Sequence, residues 1–204
     1  MPTVVTETLS SPESPQPPRK RWTRAECALL GWLESPDLRH IELIEGELIN
    51  RMGKKPPHTN VLMAVMIWLQ DAFGREYVVP ERPIDVAPQD VPTSEPEPDL
   101  IVLTRPWREF YVNPGPGDLR LAVEVSDSTV NFDRSTKAAL YARAGIAEYW
   151  VADIPRRRLI VHRDPQGGQY RTITAYNEGE SVNPLAAPDR QFQVAEAFSG
   201  VPKS

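Results

Sequence analysis

Two short apolar runs in this chain each carry one acid. Pro98-Asp99-Leu100-Ile101-Val102 and Leu121-Ala122-Val123-Glu124-Val125 are rich in branched aliphatics, the pattern of buried strands. With a period of two, Leu121, Val123 and Val125 share one face, and Ala122 and Glu124 the other. Pro98 offers no N–H, which places Asp99 near the start of its strand. Ile41-Glu42-Leu43-Ile44 and Leu48-Ile49 flank Glu45-Gly46, which predicts a tight hairpin. Tyr77-Val78-Val79 and Ile84-Asp85-Val86 also read as strands. Glu148 to Ala152 and Leu159 to His162 predict a hairpin through Pro155 and Arg156-Arg157-Arg158. A last hairpin turns at Gln166-Gly167-Gly168.

Helical periodicity is sparser. Thr23 and Glu26 form a capping-box pattern ahead of a short helix carrying Cys27, Leu29, Leu30 and Leu33. Lys54 to His58 reads as a loop. From about Thr59 to Phe73, Leu62, Val65, Met66 and Leu69 make a helical stripe that Gly74 ends. Asp133 to Ala144 predicts a further helix, stopped by Gly145. Pro88 to Pro98 and Asn113 to Gly117 are Pro- or Gly-rich and irregular. Residues 1–20 are rich in Pro, Ser, Thr and Glu without an apolar period, and read as a disordered tail. Residues 21–200 then form one domain. The expected class is α/β (or α+β): a central mixed sheet flanked by helices, with β-hairpins at both ends.

Composition narrows this modestly. The 204 residues are 40% hydrophobic and 25% charged, as in ordinary globular proteins. The net charge of −5 lacks the basic footprint of many nucleic-acid binders, although local groups decide the field at a site. A lone cysteine, Cys27, excludes an internal disulfide and suits a reducing cytoplasm. No apolar run is long enough to span a bilayer. No Gly-rich phosphate loop precedes a lysine, and no serine sits in a nucleophile elbow.

The chemistry therefore rests on the two acids. An ionised carboxylate inside a sheet is costly unless a partner or a metal ion takes its charge. Asp99 and Glu124 on neighbouring strands offer hard oxygens to a divalent cation; the plainer reading is a salt-bridged strand pair. After Glu124 comes the polar run Ser126-Asp127-Ser128-Thr129, then Asp133 and Lys137, four apart on one helix face. Alone, that pair reads as an ordinary surface ion pair. Beside a metal site, the ammonium can offset charge developing on a phosphate.

Taken in order, Ile41 to Leu48, His58, Glu97-Pro98-Asp99-Leu100, Val123-Glu124-Val125-Ser126, Asp133, Lys137, Tyr141, Gly145 and Glu148 to Asp153 resemble the Uma2 family. That family is assigned to the PD-(D/E)XK nuclease superfamily, with a restriction-endonuclease-like core. The resemblance runs from about Trp22 to near Arg163. It implies that Asp99 and Glu124 are metal ligands, for Mg²⁺ or Mn²⁺. The motif's lysine position is Ser126 here, so the resemblance nominates Lys137 from the following helix. Glu42 is similar to an additional acid near the metal, and reads equally as a solvated strand residue. His58 is similar to the family's histidine at that place, and reads equally as a helix cap. Tyr141 falls to the core or beside the catalytic groups. The activity implied is metal-dependent endonucleolytic hydrolysis of nucleic acid, DNA first, with RNA or single strands as alternatives. A rival of another class is a non-catalytic nucleic-acid-binding or protein-interaction domain on the same fold. A homodimer would bring two sites to a duplex. Arg156 to Arg158 and Trp107 are further candidates for touching nucleic acid, with solvated turn and packing as the plainer readings.

Overall fold

The computed structural model describes residues 19–32, 35, 41–50 and 55–202. Most of the expected tail, and Leu33, lie outside the described residues.

Thr23 caps α1 (Arg24–Leu29), and its side chain and that of Glu26 satisfy each other's backbone N–H groups. At six residues the helix turns only Cys27 into the core. Leu29 and Leu30 are instead 87% and 52% exposed. β1 (Ile41–Ile44) and β2 (Glu47–Asn50) pair antiparallel. Both turn residues, Glu45 and Gly46, have positive φ (49° and 79°), as a two-residue hairpin requires. A Cβ on Gly46 would meet Arg21 Cβ at 3.0 Å, so glycine is needed there twice over.

α2 (Pro56–Phe73) starts three residues earlier than its apolar stripe suggests. Pro56 and Pro57 lack N–H groups that a first turn leaves unpaired anyway, so they open the helix rather than precede it. His58 therefore sits inside that first turn, not in a loop.

β3 (Val78–Pro80), β4 (Leu100–Leu103), β5 (Leu119–Ser126), β6 (Glu148–Asp153), β7 (Arg158–Gln166) and β8 (Gln169–Asn177) form a six-stranded sheet in that order. Every neighbouring pair is antiparallel except β5 and β6, which run parallel. That one parallel step needs a crossover. It is made by α3 (Val130–Phe132), a π-helical turn over Asp133–Lys137, and α4 (Ala138–Ala144). Gly145 ends it at φ 78°. Short strands β9 (Ser181–Val182) and β10 (Phe192–Gln193) pair before α5 (Val194–Ala197).

The expected strand at Ile84-Asp85-Val86 does not form. The Ile84 N–H bonds the Pro96 carbonyl (3.0 Å) and the Asp85 N–H that of Pro114 (2.9 Å). Two separate loops take those donors, so no ladder can run along the segment, and prolines at 83 and 88 bound it. Its Ile84 and Val86 side chains are buried as expected.

The sheet separates two cores. On one face Leu121, Val123 and Val125 pack with Val61, Val65 and Leu69 of α2 and with Trp150 and Phe192. On the other, Ala122, Ile101 and Val151 pack with Leu140 and Tyr141 of α4. The alternation in β5 is thus used in full: one face takes α2, and the face bearing Glu124 takes α4. Among the described residues, no helix is long and apolar enough to cross a membrane.

Candidate active site

Leu100 of β4 stands opposite Val123 of β5. One step along that register, Asp99 falls opposite Glu124. Opposite residues of an antiparallel pair share a face, so the two acids project together. Both are 4% exposed. Asp99 Oδ2 accepts the Val125 N–H at 2.8 Å and lies 3.4 Å from His58 Nε2 at the start of α2.

Glu124 Oε1 accepts from Lys137 Nζ at 2.8 Å and from the Tyr141 hydroxyl at 3.1 Å. Lys137 also lies 2.8 Å from Glu42 Oε2, which the first hairpin delivers from 95 residues away. Glu42 alternates with Leu43 along β1 and is buried, at 2% exposure, rather than solvated.

Asp133 and Lys137 are not the surface pair their spacing suggests. Both are 4% exposed, and each bonds elsewhere. Asp133 Oδ2 accepts from Ser126 Oγ (2.6 Å) and Thr129 Oγ1 (2.7 Å). Between them the helix is wound as a π-turn, a distortion often found at functional sites. The Tyr149 hydroxyl donates to the Asp133 carbonyl at 3.1 Å within that widened turn. Sequence reasoning did not find this hydroxyl–carboxylate group. Its trace is Ser126, Thr129 and Asp133 leading straight from the acid strand into the helix.

Glu42, His58, Asp99, Glu124, Asp133 and Lys137 line one cleft of about 90 Å³, open to solvent, with Lys55, Asn50 and Thr129 at its walls. Among the described residues, four buried acids here face one buried ammonium. Burial pushes the Glu124 carboxyl well above the usual carboxylate range, and the charges of Asp99, Asp133 and Glu42 push the same way against Lys137. Burial by itself would lower Lys137, but Glu124, Glu42 and Asp133 more than offset it and hold the amine charged. Burial, then Glu124, raises the Tyr141 phenol, which stays a donor.

An excess of carboxylate in a low-dielectric cleft favours entry of a cation. The donor set leaves room for one: among the described residues, Glu124 Oε2 makes no hydrogen bond, and Asp99 lines the same cleft. Among the described residues no group of three or more His, Cys, Asp or Glu is placed to hold a metal ion by itself, so water would have to complete the shell. Two carboxylates with room for water leave positions open for the retained waters of a divalent cation.

The other candidates lie apart. Arg157 pairs with Glu178 (2.6 Å), and Arg158 and Arg156 with Asp153 (2.9 and 3.6 Å), so the arginine turn braces the fold. Asp153 ends β6. Trp107 is 41% exposed under the Arg108 guanidinium (5.0 Å), away from the cleft lining.

The model of the Uma2 family, described as "Putative restriction endonuclease", matches residues 28–195. The chain belongs to the Uma2 family. All the side chains of this site from Glu42 to Tyr141 fall within the matched stretch. A solved structure of a "putative nuclease belonging to DUF820 from Anabaena variabilis ATCC 29413" is similar, with a TM-score of 0.64 at 15% identity. The likeness covers 85% of this chain and 98% of that one, and at this identity it concerns the fold. This Uma2 chain therefore has the mixed α/β architecture of that protein. No curated protein matches it.

Proposed function

We propose that this Uma2 protein is a metal-dependent endonuclease that hydrolyses phosphodiester bonds in nucleic acid, DNA first. The observation that carries the reading is the division of labour at Glu124: one oxygen is tied to Lys137 and Tyr141, and the other is left without a hydrogen bond among the described residues, in a cleft that Asp99 also lines. The family description and the nuclease name of the structural neighbour support the same class.

In this reading Asp99 and Glu124 hold Mg²⁺ or Mn²⁺. When bound, the ion supplies charge neutralisation at the scissile phosphate and activation of the attacking water. The chain's own groups set the geometry. The Val125 N–H and His58 fix Asp99. Tyr141 and Lys137 fix the orientation of Glu124. Lys137 also places a permanent positive charge beside the reacting phosphate, where it is worth most in a site shielded from water. Glu42 keeps that ammonium in position. Residues 21–200 act as the working domain, in a reducing cytoplasm that suits the buried thiol of Cys27.

The test is cleavage of supercoiled plasmid, single-stranded DNA and RNA with added Mg²⁺ or Mn²⁺. Wild-type protein should nick at least one of them, and chelation of the metal should stop it. Asp99→Ala and Glu124→Ala should each lose at least about 100-fold in rate. Cutting that persists in both variants would assign the activity to a contaminant. Binding without cutting of any substrate would favour the non-catalytic domain.

A further inference from the structure

The two edges of the central sheet are unlike. β3 is three residues long and ends at Pro80, which has no N–H to offer. β8, at the other edge, is nine residues long. Its residues 171–175, Arg-Thr-Ile-Thr-Ala, are all exposed, with Ile173 at 54%. Among the described residues, their backbone groups bond only to β7, so the outer row of N–H and C=O groups is unmatched. Natural edges are usually blunted by lysine, proline, a bulge or shortness. This stretch carries neither lysine nor proline, and two of its five residues are β-branched threonines.

We propose that β8 pairs antiparallel with β8 of a second copy of this chain, about a two-fold axis through Ile173. The sequence of the edge is complementary to itself in that register. Ile173 meets Ile173, Thr172 meets Thr174, and Arg171 meets Ala175. Like apolar groups and paired threonines are favourable cross-strand neighbours. The two Arg171 side chains stand four residues apart, about 13 Å, more than a Debye length at physiological salt. An axis through Thr172 would bring them to within about 7 Å and set each opposite Ile173. Pairing through Ile173 covers the largest exposed apolar side chain of the edge and satisfies both backbone rows at once. It makes one continuous sheet across the dimer, with an isologous interface that closes on itself.

The register gives the proposal a sharp test, independent of the nuclease reading. Sedimentation equilibrium of the full chain should give twice the chain mass. Ile173→Lys and Ile173→Glu each set like charges face to face on the axis, and should each weaken association by at least about 100-fold. Mixing the two variants sets lysine opposite glutamate and should restore a dimer, which also shows that both are folded. A monomeric wild-type chain would overturn the proposal, whether the edge is bare or serves another protein. So would a dimer that both substitutions leave intact, or variants that stay monomeric when mixed. Nicking by a monomeric wild type would leave the nuclease reading standing while removing this one.

Discussion

Asp99 accepts the backbone N–H of Val125, the residue after Glu124, at 2.8 Å. One acid of the site is thus held by the strand that carries the other. The bond fixes how the two carboxylates face each other, and it satisfies a donor that the end of the β4–β5 ladder would otherwise leave buried.

The stability and the chemistry of Asp99 are therefore separable. Asp99→Asn keeps an acceptor for the Val125 N–H and removes one of several crowded negative charges. It should unfold in urea at or above the wild-type midpoint while losing cleavage. Asp99→Ala leaves the N–H unsatisfied and should cost about 1–3 kcal/mol in the same titration.

Lys137 is the ammonium between Glu42 and Glu124. Lys137→Met leaves two buried carboxylates without their counter-charge and should destabilise the fold by about 3–5 kcal/mol. Adding Glu42→Gln should recover part of that loss, because it removes one stranded charge. A double-mutant cycle by urea unfolding measures the coupling, and full additivity would contradict the ion-pair geometry.

A divalent ion entering the cleft should stabilise the protein. At about 100-fold excess over its dissociation constant, the gain is about 2.7 kcal/mol, visible as a rise in Tm with Mg²⁺ concentration. Glu124→Gln should fold, since Lys137 can still donate to its carbonyl oxygen, but its Tm should no longer respond to the ion.

His162 makes stability sensitive to acid. Its ring lies among Tyr149 and Tyr170 (5.2 and 5.6 Å between centroids) at 1% exposure. Burial lowers its pKa from 6.5 to about 4. The unfolded chain takes up this proton near pH 6.5 and the folded chain only near pH 4. The contribution is thus fully present above pH 6.5 and is lost as pH falls towards 4. The window amounts to about 3 kcal/mol. His162→Phe should flatten the fall in urea midpoint between neutral and mildly acid pH.

Much of this was legible from local pattern. The alternation Leu121, Val123, Val125 against Ala122, Glu124 predicted which face carries the acid, because a strand's side chains alternate whatever the sheet does. Glu45-Gly46 and Gly145 marked turns because few residues adopt positive φ cheaply. Thr23 with Glu26 marked a helix start because unpaired N–H groups need acceptors. The acids Asp99 and Glu124 stood out for the same kind of reason, because charge inside a buried run demands a partner; Lys137 was nominated only by the resemblance to the Uma2 family.

What the chain alone left open were relations between distant elements. A glutamate buried against a lysine and one bathed in water look identical in sequence, so only the folding of β1 against the π-turn decided that Glu42 meets Lys137. Asp133 and Lys137 share a helical spacing, but the π-turn and the end of β5 send them to different partners. Ile84 and Val86 have the residues of a strand and no neighbour to pair with, because the donors of Ile84 and Asp85 reach two separate loops. Periodicity is set by the backbone a few residues at a time. Partnership is set by packing, which joins groups as far apart as residues 42 and 137 and exists only once the chain has folded.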